Sequence, residues 1–82
     1  MNVTFRQLSV FTAVARHLSF TQAAKELHLS QPAVSMQVKQ MEERVGLPLF
    51  EKLGKQIYLT GVGHEMFHYS GDVLLMVKEL AP

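Results

Sequence analysis

The chain has 82 residues, 18 % of them charged, a formal net charge of +1 and no cysteine. This is enough for one small domain, and it excludes disulfides, thiolate metal sites and thiol catalysis. The opening MNVTFRQL lacks a basic start followed by an apolar run, and the longest apolar stretch, residues 73–77, is far short of a membrane span, so no membrane partner and a cytoplasmic location are expected.

Thr4-Phe5-Arg6-Gln7 is a capping box, in which the threonine oxygen accepts an early helix N–H and the glutamine reaches back. Phe5, Leu8, Phe11, Val14 and Leu18 then form one stripe, which predicts a helix over 5–17. A second box, Ser19-Phe20-Thr21-Gln22, opens a short helix with Ala23, Ala24 and Leu27 facing in. The two alanines let another helix cross closely. His28-Leu29-Ser30 predicts a break with a left-handed residue, a conformation in which histidine is enriched. Ser30-Gln31-Pro32 starts a third helix, with proline in the first turn. Val34, Val38, Met41 and Val45 make its buried face, and Gly46 stops it.

Extended runs at 50–52 and 57–59 flank Leu53-Gly54-Lys55-Gln56, which predicts a small hairpin with glycine in the turn. Thr60 caps a last helix from about residue 62. Its apolar positions Met66, Tyr69, Val73, Met76 and Leu80 are spaced 3, 4, 3, 4, and Phe67, Leu74 and Val77 widen the stripe. Twenty residues make a rod of about 30 Å. So small a domain cannot cover one whole side of it, so a second chain or a longer protein is expected there.

The order is mainly α: a winged helix-turn-helix over 1–60, then a long linker or dimerisation helix over 61–82. Charge follows the same division. Up to Thr60 there are seven Lys and Arg against four Asp and Glu, and beyond it one against three. A mildly basic front part suits nucleic acid. The third helix turns Pro32, Ser35, Met36 and Lys39 away from its apolar face, with Gln31 at its tip. A helix-turn-helix places this helix in the major groove. There Gln31 fits adenine N6 and N7, Ser35 donates or accepts, Met36 fits a thymine methyl and Lys39 a phosphate. Ser19 and Thr21 sit beside helix N-termini suited to phosphates, and Lys52 and Lys55 flank a wing that reaches backbone or minor groove. Singly, each has a plainer reading that outweighs this one: Gln31 as a cap, Ser35 as a solvated helix position, and Lys39 and the wing lysines as solvated charge. Together, on one face, they point to double-stranded DNA.

A competing motif lies in the last helix. HEMFHYSGDVL, residues 64–74, fits the zinc-protease pattern H-E-x-x-H and fails the longer metzincin pattern only at Leu74. His64 and His68 share a helix face, with Glu65 beside them. A catalytic zinc needs a third protein ligand, and His17, His28 and Glu79 have no spacing that supplies one. The expectation is neither a metal site nor an enzyme.

Arg6-Gln7-Leu8…Phe11, Ser19-Phe20-Thr21-Gln22-Ala23-Ala24, Leu27-x-Leu29-Ser30-Gln31-Pro32-Ala33-Val34-Ser35 and Leu49-Phe50…Leu59-Thr60…Gly63 resemble the N-terminal domain of LysR-type transcriptional regulators. Residues 27–55 are similar to CbbR-like regulators of carbon-fixation operons. The resemblance implies a longer protein whose small-molecule effector binds a C-terminal domain outside this chain, with no cofactor in the present residues. It implies a homodimer, paired through Met66, Tyr69, Val73, Met76, Val77 and Leu80, on an interrupted palindromic operator. Base edges then fall to Gln31, Pro32, Ser35 and Met36, phosphates to Thr21 and Lys39, and the wing to Lys55. Two departures stand out. Many members carry arginine where Met36 stands, so a guanine contact is not carried across. Lys52 replaces the usual arginine, and a bidentate role is not carried across either.

Overall fold

The computed structural model describes residues 2–80, with side chains up to residue 71. Helices α1 (Phe5–His17), α2 (Phe20–Leu27) and α3 (Gln31–Val45) are followed by strands β1 (Phe50–Leu53) and β2 (Gln56–Leu59), then by helix α4 (Gly61–Leu80). The chain is thus a winged helix-turn-helix with a long last helix. That helix starts one residue before the expected position.

The caps explain most boundaries. At α1 the box closes both ways: Thr4 Oγ1 accepts from the Gln7 N–H at 3.0 Å, and the Thr4 N–H donates to Gln7 Oε1 at 3.1 Å. The second box forms only by half. Ser19 Oγ accepts from the Gln22 N–H at 3.1 Å, while the Gln22 side chain stays exposed and makes no return bond. His28 takes the expected left-handed conformation, φ 56°, and ends α2. Leu18 does the same for α1 at φ 49°, which nothing in its side chain signals. Ser30 Oγ caps α3 through the Ala33 N–H, and Gly46, φ 85°, closes it.

The expected stripe on α1 needs correction. Phe5 is 52 % and Leu18 37 % exposed, whereas Val10, Phe11, Ala13, Val14 and Ala15 are buried. The cause is the central place of α1, which contacts α2, α3 and α4. Val10, Ala13 and Val14 pack with Ala23, Ala24, Val34 and Val38 in one cluster. Phe11 packs with Met41 and Leu49 in another, and Val62, Met66 and Phe67 of α4 close over it. A helix buried from two sides shows more than one apolar stripe. The alanines of α2 act as expected: both are buried where α1 and α3 cross the short helix.

Glu42 and Thr60 fix the route from α3 through the wing to α4. Glu42 Oε2 accepts from the Leu49 N–H at 2.7 Å and the Phe50 N–H at 3.4 Å. Thr60 Oγ1 donates to the Pro48 carbonyl at 2.8 Å and accepts from the Gly63 N–H at 3.0 Å.

Candidate nucleic-acid interface

Phe50 sets the position of the wing. Its ring lies 5.4 Å from Phe11 and 5.8 Å from Phe20, centroid to centroid. Alternate residues of a strand share a face, so Lys52 follows Phe50 onto the side that faces α2 and α3. Antiparallel pairing sets Ile57 opposite Lys52 and Gln56 opposite Leu53. Gly54, φ 64°, is the first residue of a two-residue turn, and Lys55 the second. Positive φ at the first position alone is the pattern of a type II′ hairpin.

The result is an open groove of about 640 Å³ between the α1–α2 turn, the start of α3 and the wing. It brings together Ser19, Thr21, Gln31, Ser35, Lys52 and Lys55, and among the described residues no acidic one lines it. A second groove, on the other flank of α3, is lined by Pro32, Ser35, Met36 and Lys39, with Gln40 and Glu43. Ser35 belongs to both. The nine residues expected at DNA therefore sit on the exposed α3 ridge and the surfaces flanking it. Met36 is 58 % exposed there. Gln31 Nε2 donates to Ser35 Oγ at 2.7 Å, so these two side chains form one unit.

Several lining residues carry no pattern legible in sequence. His17, Leu18, Gln56 and Ile57 enter the first groove only because the wing folds back. Glu26, outside the groove lining, is equally silent in sequence. Its carboxylate receives both Arg16 guanidinium nitrogens, at 2.7 and 2.8 Å, and lies 2.8 Å from His17 Nε2. The Arg16 hydrogen bonds first, then that of His17, hold its carboxyl down at about 2. This cluster ties the end of α1 to α2 beside the groove. Arg16 and Glu26 lie on different helices, so no i, i+4 spacing announces them.

The last helix divides the residues expected in one dimer seam. Met66 is half-buried against the domain's own core, while Tyr69 is 66 % exposed. Val73, Met76, Val77 and Leu80 lie outside the described side chains. His64, Glu65 and His68 are all exposed on α4. Among the described residues no group of three or more His, Cys, Asp or Glu is placed to hold a metal ion. Among them, too, no helix is long and apolar enough to cross a membrane.

Comparison with known proteins places this geometry. The family described as bacterial regulatory helix-turn-helix protein, lysR family, matches residues 5–64. The RuBisCO operon transcriptional regulator of Allochromatium vinosum is 61 % identical over 80 residues, covering 98 % of this chain and 26 % of that protein. The chain thus spans about a quarter of that relative's length. Among solved structures, the BenM DBD/catB site 1 DNA complex superposes with a TM-score of 0.90 at 34 % identity, covering 94 % of this chain and 86 % of its counterpart. The CbnR DBD–DNA complex gives 0.86 at 36 % identity, covering 93 % and 87 %.

Proposed function

The chain belongs to the LysR family of bacterial regulatory helix-turn-helix proteins, and from that premise we propose that it binds double-stranded DNA sequence-specifically. Helix α3 enters the major groove and the β1–β2 wing lies along the adjoining backbone or minor groove. The observation that carries this reading is the groove shared by the start of α3, the α1–α2 turn and the wing. It gathers amides and hydroxyls suited to base edges with two lysines, and among the described residues no acidic side chain lines it. Gln31 faces base edges with Pro32 and Met36, and Ser35 stands beside Gln31 on the same ridge. Lys39, Lys52 and Lys55 meet phosphates, which position the domain without reading sequence.

Two copies pair through α4 and set two recognition helices on an interrupted palindrome, as two-fold proteins do on two-fold sites. The relative at 61 % identity is named for the RuBisCO operon, which supports carbon-fixation promoters as the target. A small-molecule effector acts on a part of the protein outside these residues, and the residues present need no cofactor. Such work places the protein in the cytoplasm, at the nucleoid.

Selection of duplexes from a randomised pool, followed by titration of the winner, tests this. The winner is expected to hold two inverted half-sites, to bind far more tightly than its scrambled version, and to lose about 1,000-fold in affinity between about 50 and 200 mM salt, as six lysine–phosphate contacts per dimer require. Lys39→Ala should weaken all duplexes alike. Equal affinity for selected and scrambled duplex would remove the sequence-specific reading.

A further inference from the structure

We propose that Ser35 is a positioning residue for Gln31, fixing its amide for adenine rather than reading a base of its own; this rests on the DNA-binding reading above. Gln31 is the first residue of α3 and Ser35 stands one turn on, the i, i+4 spacing that brings helical side chains together. Gln31 Nε2 donates to Ser35 Oγ at 2.7 Å. That bond uses one amide hydrogen. The second hydrogen and the whole of Oε1 stay free, which leaves one donor beside one acceptor. This is the set that adenine N7 and N6 require in the major groove.

The bond also matters for what it prevents. An exposed glutamine samples many rotamers, and ordering them on binding costs affinity. A side chain already held in place avoids part of that cost. Ser35 is suited to the task because it is half-buried between the two grooves that flank α3, whereas Gln31 is exposed.

The test uses the selected duplex and a set in which each A·T pair of a half-site is replaced in turn by G·C. Gln31→Ala is expected to lose discrimination at one pair by about 5- to 150-fold. Ser35→Ala should lose part of the discrimination at that same pair and leave the other pairs unchanged. Ser35→Thr, which keeps the hydroxyl, should retain it. The double variant should match Gln31→Ala alone, because a positioning residue has nothing left to position. In the free protein, Ser35→Ala should shift the Gln31 side-chain amide resonances towards those of a solvated glutamine, and unchanged thermal melting should show the fold intact. Relaxation at a different base pair, additive losses in the double variant, or an unmoved Gln31 resonance each overturn the positioning role. A wild-type protein that binds every duplex alike overturns the DNA reading itself, a result separable from the others because it appears before any substitution.

Discussion

A Cβ on Gly63 would run into the Leu49 carbonyl oxygen and come within 3.0 Å of the Leu59 side chain. The same Leu49 oxygen accepts from the Thr60 N–H at 3.0 Å, so it has no freedom to withdraw. The glycine allows the first turn of α4 to seat on the strand entry. Gly63→Ala should cost about 1–3 kcal/mol, the usual range for overpacking, read from the urea midpoint. A loss under a few tenths would show that the backbone yields more easily than this contact implies. Leu18 is the opposite case, a leucine in a left-handed conformation that asymmetric residues adopt at a cost. It lies in the wall of the groove between α3 and the wing, at the α1–α2 turn.

At the scale of elements, the junction of α1 and α2 depends on Glu26. Its carboxyl drops from the ordinary 4.5 to about 2 through Arg16 and His17. A depressed folded-state value stabilises the charged form. The contribution is therefore complete above about pH 4.5 and fades as pH falls towards 2. Both partners are largely exposed, with 51 % and 36 % side-chain accessibility, so solvent screening limits the gain. Glu26→Gln should cost at most about 1 kcal/mol at neutral pH. Urea unfolding over a pH series should show the gap to wild type closing as pH falls towards 2. A constant gap would mean that the glutamine disturbs packing instead. The wing depends on Phe50, which anchors β1 between Phe11 and Phe20 and so sets where Lys52 stands.

At the scale of the whole chain, the described residues span 42 × 26 × 18 Å, longer in one direction than a small globule. Helix α4 contributes its first turns to the domain core, through Gly63, Met66, Phe67 and Ser70. Tyr69 points away from it, a large apolar surface without cover in one copy. Aromatic side chains of this kind are favoured at protein interfaces. Sedimentation equilibrium should find a dimer, and Tyr69→Glu should move it towards monomer at equal concentration. The same substitution should weaken binding to the full palindrome more than to an isolated half-site, because pairing lends the second contact its effective concentration. A dimer untouched by this change would place the interface elsewhere.

The local features were legible because they are local. Thr4, Ser19, Ser30 and Thr60 sit at helix starts, and Gly46 and His28 at helix stops. The face of α3 shows Pro32, Ser35, Met36 and Lys39 with three buried residues behind it. Each of these follows from side-chain chemistry acting over a few residues. The sequence by itself therefore determined the order of elements and the residues that α3 turns away from the core. What only the tertiary structure decided involves partners far apart in the chain. The wide burial of α1 needs α4 to close over Phe11, and the groove exists only once Phe50 draws the wing against α2. The Arg16–Glu26 pair and the Glu42 bonds to Leu49 and Phe50 join separate elements. Periodicity reports which face of an element is apolar; it carries no information about which other elements that face, or its neighbours, will meet.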